Sequence, residues 1–202
     1  MTTRVASVQS FLRVALLSTL VGCSGESNVR APVAQVTCGW TDSVRLTPQG
    51  IGHLRLGTST AELLRSCAVV RDTTELTEGQ AQRVVHLRVG PAVAYAEIAG
   101  DSVWRIGTRD SLLRTSDGLG VGTPVRTLLA SDPEWAAHGE GVVAVGLRGH
   151  CGLSFLLAPM STAPGQPLFV GGIQDLQKAP PDTPVVEILI VGGAHCEQRA
   201  TG

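Results

Sequence analysis

The chain has 202 residues and a formal net charge of −1, with 43% hydrophobic, 16% charged and 3% aromatic residues. That balance excludes a disordered chain, which needs fewer apolar and more charged residues, and it excludes a strongly basic nucleic-acid binder. A chain of this length buries one good core or two small ones.

Residues 1–22 carry no acid, and Arg4 and Arg13 are their only charges. An apolar run from Val14 to Gly22 ends at Cys23. A basic start followed by a short apolar stretch and small residues is the pattern of a secretory signal peptide. The run is well short of the ~20 apolar residues that span a bilayer. Leu20-Val21-Gly22-Cys23 resembles a bacterial lipobox. That resemblance implies cleavage before Cys23, a diacylglycerol on its thiol and acylation of the new amino group. At ~0.8 kcal/mol per buried methylene, two or three acyl chains make a lasting membrane anchor. Lipoproteins retained at the inner membrane often carry Asp after the cysteine. Ser24 stands here, so the resemblance favours the outer membrane, on its periplasmic face or at the cell surface. Residues 23–36 are small and polar, with Pro32, and read as a flexible tether between lipid and body.

Five cysteines leave one over from any set of pairs. Cys23 is that one if the lipobox is used. An exported chain meets an oxidising compartment, so the expected bridges are Cys38–Cys67 and Cys151–Cys196, each within one half of the chain. The segments after Cys151 and before Cys196 are apolar and of strand length. Antiparallel pairing with Cys151 opposite Cys196 sets Leu153 against Ala194 and Leu157 against Ile190. The rival reading uses the two dipeptides His150-Cys151 and His195-Cys196 as zinc ligands. Neighbouring side chains on a strand point to opposite faces, so no metal site is expected there.

The body divides into residues 37–110 and 111–202, because a motif recurs. Thr47-Pro48-Gln49-Gly50-Ile51-Gly52 matches Thr115-Ser116-Asp117-Gly118-Leu119-Gly120. Leu56-Gly57-Thr58 then matches Val121-Gly122-Thr123, and Leu63-Leu64 matches Leu128-Leu129. Short helices are expected over 59–67 and 124–131. Ser59-Thr60-Ala61-Glu62 fits a capping box. In the second copy Thr123 caps and Pro124 takes the first helical position. The paired leucines face the sheet. Strand-like runs follow each helix: 83–89, 92–98 and 102–106, then 141–147, 152–158 and 185–191. Alternation in the first set suits a meander with one wet face. Residues 159–184, with six prolines, read as a long loop.

The predicted fold is therefore α+β: two copies of a short helix followed by a three-stranded antiparallel meander, packed as one body. The G-T helix start, the strands after it and the lipobox resemble the small α+β units of BamE-type outer-membrane lipoproteins and of secreted β-lactamase inhibitor proteins. In those families a glycine usually follows the helix, whereas Cys67-Ala68 and Ser131-Asp132 stand here. The resemblance implies architecture rather than a particular activity.

No catalytic constellation emerges. Gly118-Leu119-Gly120-Val121-Gly122 lacks the Lys-Ser/Thr of a P-loop and reads as a turn. No G-x-S-x-G elbow is present. His53, His86, His138, His150 and His195 are scattered, and a Cys151 nucleophile would have to stay reduced outside the cytoplasm. Asp72, Glu75 and Glu78 read as a solvated loop after the first helix. Trp104 and Trp135 read as core or half-buried residues rather than ligand anchors. No cofactor, metal or nucleic acid is expected. The expected partners are the membrane, through the lipid, and another protein. The chain is thus expected to be a lipid-anchored binding, scaffolding or inhibitory module of the cell envelope, with an exported enzyme as the alternative.

Overall fold

A computed structural model describes residues 38–77, 79–139, 142–159 and 171–192, all within one compact unit, Gln35–Gly202. The lipobox with Cys23, the tether, Glu78, His195 and Cys196 lie outside the described residues. The elements, in chain order, are β1 (Gly50–Ile51), β2 (Leu54–Arg55), α1 (Thr60–Ser66), β3 (Ala68–Thr77), β4 (Gln80–Val89), β5 (Ala92–Ala99), β6 (Ser102–Thr108), α2 (Val125–Ala130), β7 (Pro133–Gly139), β8 (Val142–Leu147), β9 (Leu153–Leu157), α3 (Ile173–Leu176) and β10 (Val185–Ile190). β1 and β2 form a small hairpin sheet. The other eight strands form one antiparallel sheet in the order β3-β4-β5-β6-β10-β9-β8-β7. The protein is therefore mostly β with short helices. The two halves join through the pairing of β6 with β10, which matches Thr108, Gly107 and Ile106 to Ile188, Leu189 and Ile190.

α1 and α2 each precede four strands of the large sheet, not three, with α3 set between β9 and β10. The two missed strands, β3 and β7, are the sheet's edges. β3 holds Asp72 and Glu75, which therefore stand in a strand rather than a loop, and its side chains at Arg71, Asp72, Thr74 and Leu76 are exposed. β7 begins with Pro133. Charge and proline are common on edge strands, and they erase the apolar pattern by which inner strands are found.

Ser59 caps α1 as expected, its Oγ accepting from the Glu62 N–H at 3.2 Å. At α2 the arrangement differs from expectation. Pro124 is the cap, with extended backbone and no side-chain bond, and Thr123 Oγ1 instead accepts from the Gly120 N–H at 2.9 Å. Leu63 and Leu128 are fully buried, and Leu129 packs partly against the core. Leu64 is exposed, because α1 touches the sheet only along one side. These leucines join Val125 and Leu176 over Val85, Leu87, Val145, Phe155 and Ile188 in a single cluster. All the helices therefore serve one face of the sheet.

Backbone hydrogen bonds tie each helix start to the last strand of its own half. Gly57 N–H donates to Val103 O at 2.7 Å, and Val103 N–H to Thr58 O at 2.9 Å. Gly122 N–H donates to Val185 O at 2.8 Å, and Val185 N–H to Thr123 O at 2.8 Å. One step further, Thr60 N–H meets Asp101 O and Val125 N–H meets Thr183 O, each at 2.9 Å. The register shifts also correspond: one near the start of β3 and of β7, and one just after Val103 and after Val185. Such bulges bend strands and raise their twist.

β9 and β10 pair antiparallel, but Leu153 lies opposite Ile190 and Phe155 opposite Ile188. The pairing that set Leu153 against Ala194 and Leu157 against Ile190 is thus displaced by four residues. An even displacement keeps every side chain on its face, so the apolar pattern that fixes the face does not distinguish the two registers. Cys38 and Cys67 form the expected disulfide, with Cα atoms 4.1 Å apart. Cys151 is a disulfide cysteine, while its expected partner, Cys196, falls outside the described residues.

Two outcomes follow. Cys67→Ala, compared in urea denaturation under oxidising conditions, should lose about 3 kcal/mol, the usual worth of a bridge closing a loop of this length. Gly57 and Gly122 have φ of 77° and 88° with open space where a Cβ would stand. Gly57→Ala and Gly122→Ala should therefore cost nearly equal amounts, about 1–2 kcal/mol each, from backbone strain alone.

Candidate functional site

Successive residues on a strand face opposite ways, so covering one face with helices leaves the alternate residues on the other. Those residues line a groove of about 740 Å³ to which all eight strands contribute, the edges β3 and β7 included. A sheet whose two edges border one groove is curved around it.

One cross-strand row crosses the floor. Arg71 lies opposite His86, His86 opposite Tyr95, Tyr95 opposite Gly107, Gly107 opposite Leu189 and Leu189 opposite Ser154. On β7 and β8, Trp135 lies opposite Gly146. Two aromatic rings lie over these cross-strand glycines. A Cβ built on Gly107 would stand 2.1 Å from Tyr95 Cζ, and one on Gly146 would stand 2.1 Å from Trp135 Nε1. Only glycine leaves room for either ring at that height.

The wall from β3 to β6 is ionic. His86 Nε2 lies 2.9 Å from Glu75 Oε1, which also accepts from Arg71 Nη2 at 3.0 Å. Arg105 Nη2 lies 2.9 Å from Glu97 Oε2, with both side chains nearly inaccessible. Tyr95 donates its phenol proton to Glu187 Oε1 on β10, and Arg109 Nη2 donates to Glu187 Oε2 at 3.1 Å. Arg109 also stands over the Tyr95 ring, 5.9 Å from its centroid. The wall from β7 to β10 is largely apolar, with Trp135, Ala137, Val142, Ala144, Leu156 and Leu189. The groove thus sets fixed, mutually compensated charges beside an apolar surface.

Burial pushes the Tyr95 phenol well above its ordinary value, and the adjacent Glu187 carboxylate pushes it further. Burial works against the Arg109 charge, but Glu187 outweighs it and raises the guanidinium's proton affinity.

The residues singled out from the sequence fall in several places. Glu75, His86, His138 and Trp135 border the groove. His86 and His138 were not grouped by sequence, because they lie on strands of different halves. The signal was present as alternation in 83–89 and 92–98, of which His86, Tyr95 and Glu97 line the groove. Trp104 is half-exposed and stacks with Arg105, whose Cζ lies 4.5 Å from the ring centroid. Asp72 pairs with Arg83. The Gly39 backbone lies against the His53 ring. His150 Nε2 lies 2.9 Å from Asp117 Oδ2. Burial raises the Asp117 carboxyl, but its bonds to Thr115 and His150 outweigh that and hold it below its ordinary value. The turn through Gly118 and Gly122 leads into α2. Among the described residues, no group of three or more His, Cys, Asp or Glu is placed to hold a metal ion.

Among solved structures, the chain is similar to the uncharacterized protein YfeY of Escherichia coli. The match covers 73% of this chain and 99% of that one, with a TM-score of 0.55 and 19% identity. The two share a fold. At that identity the likeness to YfeY extends to the fold alone. No protein-family model matches the chain, and no curated protein matches it.

Tyr95 is the one tyrosine of the chain, so phenolate absorbance reports this site alone. In the folded protein the phenol should stay protonated well past pH ~10, where it titrates once unfolded. A raised folded value means that its stabilisation is complete below about pH 10 and fades as the pH climbs through the folded value. Glu187→Gln should move the folded titration back towards about 10; an unchanged titration would separate Tyr95 from Glu187.

Proposed function

We propose that this chain is an exported, lipid-anchored protein of the bacterial envelope, and that its groove is a non-catalytic binding surface for another protein. The observation that carries the reading is the groove itself. Its acids are engaged by neighbouring bases or by the Tyr95 phenol: Glu75 by His86 and Arg71, Glu97 by Arg105, Glu187 by Tyr95 and Arg109. Charges held this way present a fixed pattern to a partner, and the apolar wall beside them supplies area to bury. The signal-like N-terminus and Leu20-Val21-Gly22-Cys23 support the anchor, and Ser24 favours the outer membrane.

The body is read as a tandem duplication. Gly57-Thr58 and Gly122-Thr123 make equivalent bonds to Val103 and Val185, and the bulges recur at corresponding places. The antiparallel seam of β6 with β10 suits a local two-fold axis between the copies. Under that correspondence Arg105 and Glu187, each two residues past its valine, are counterparts that have diverged to opposite charge.

The test has two arms. Intact mass of protein extracted from the native envelope should show loss of residues 1–22 and added acyl mass on Cys23, and Cys23→Ser should release the body from the membrane. A chain starting elsewhere without lipid overturns the anchor. Proteins crosslinked to the anchored chain in the envelope should be lost with Leu189→Arg in the groove and retained with Leu64→Arg on the helix side. Equal loss from both variants, or from neither, overturns the groove as the binding surface.

A further inference from the structure

The two edges of the sheet are not alike. β7 begins with a proline, lies against α3, and has its Ala136 carbonyl covered by the Gly172 N–H at 2.8 Å. β3 is a ten-residue strand, and among the described residues no segment lies along its outer side. An uncovered edge of that length is a template for another strand.

Its sequence is matched to itself. Two copies of β3 pairing antiparallel about a two-fold axis must align residues whose backbone groups point the same way, so registers differ in steps of two. Centring the axis on Thr73 sets Arg71 opposite Glu75 of the second copy, Val70 opposite its Leu76, and Asp72 opposite its Thr74. Shifting the axis to Asp72 sets Glu75 against Val69, and shifting it to Thr74 sets Asp72 against Leu76. Only the Thr73 register puts charge against opposite charge and apolar against apolar. The apolar members are exposed in the single chain, Val70 by 50% and Leu76 by 82%.

The hydrogen-bonding phase agrees. Thr77 lies opposite Gln80 across a two-residue turn, the position where a hairpin's closing residues bond to each other. By alternation the backbone groups of Asp72, Thr74 and Leu76 then point outward. In the Thr73 register Asp72 and Thr74 exchange bonds with Thr74 and Asp72 of the second copy. Arg71 and Glu75 fall at the closer, non-bonded positions, where side-chain pairs interact best. The existing Arg71–Glu75 contact within each chain, at 3.0 Å, would extend into a cluster of four alternating charges.

We propose that β3 is a homodimerisation edge, which pairs with β3 of a second copy about Thr73 and extends the sheet across the two-fold axis. A single strand pair is at the low end of interface size, so the dimer forms at high local concentration.

Disulfide trapping of the full chain tests this, read as dimer on non-reducing gels above the background of the unsubstituted chain. Thr73→Cys should crosslink quickly under mild oxidation. Leu76→Cys, whose two copies would stand six residues apart along the strands, should not. In the Thr73→Cys background, Arg71→Glu alone and Glu75→Arg alone should each slow crosslinking about tenfold, because each sets like charges opposite. Mixing those two variants restores both opposite-charge pairs between chains, though not within them, and should restore the rate as a heterodimer identified by tag size. Circular dichroism checks that each variant is folded, and the Thr73→Cys and Leu76→Cys comparison stands without the charge variants. Equal crosslinking at positions 73 and 76, a mixture no faster than its components, or no dimer at the highest concentration each overturns the proposal. The last outcome covers an edge filled by residues 24–36 of the same chain.

Discussion

The three residue pairs between β6 and β10 are the constraint on which the rest of the molecule depends. Each half supplies four strands of the sheet, with α1 in the first and α2 and α3 in the second, and a unit of that size buries too little apolar surface to be robust alone. Joining Ile106, Gly107 and Thr108 to Ile188, Leu189 and Ile190 turns two small sheets into one. The apolar faces of both halves then merge under α1, α2 and α3 into a single cluster. The same seam sets Glu187 of one half beside Tyr95 and Arg109 of the other.

The polar face obeys a different rule. Glu97 and Arg105 are almost fully buried, and a buried ion pair repays its desolvation only when its geometry is good. Removing one partner leaves a buried charge, which is costly, whereas replacing both with apolar residues is often neutral. Glu97 and Arg105 are therefore weak evidence for stability. Their contact, at 2.9 Å, lies in the floor of the groove with both side chains nearly inaccessible. Gly107 and Gly146 leave room for the Tyr95 and Trp135 rings over the neighbouring strands.

Curvature makes this face a groove. The bulges at the starts of the edge strands β3 and β7, and those after Val103 and Val185 on the seam strands, bend the sheet. The helices take the outside of the bend and the groove the inside. β7 is closed by the segment leading into α3, and among the described residues none covers β3, so the two edges of the sheet have different prospects for contact.

The inner strands and both principal helices were legible in the sequence, because they obey local rules. Alternation marked 83–89 and 92–98, and the Gly-Thr motif with Ser59 marked the helix starts. The Cys38–Cys67 bridge was legible from pairing within one half. The edge strands were not, since their charges, their proline and their exposed positions remove the apolar signal. The β9–β10 register was not, because faces repeat every two residues and a displacement of four leaves the pattern unchanged. The groove's ionic wall was visible only as a wet face. Which acid meets which base across it depends on strand order, and strand order brings Tyr95 and Glu187 together from 92 residues apart. Local periodicity determined the elements and their faces; tertiary structure alone decided the partners, because hydrogen-bonded neighbours in a sheet are chosen by the whole chain at once.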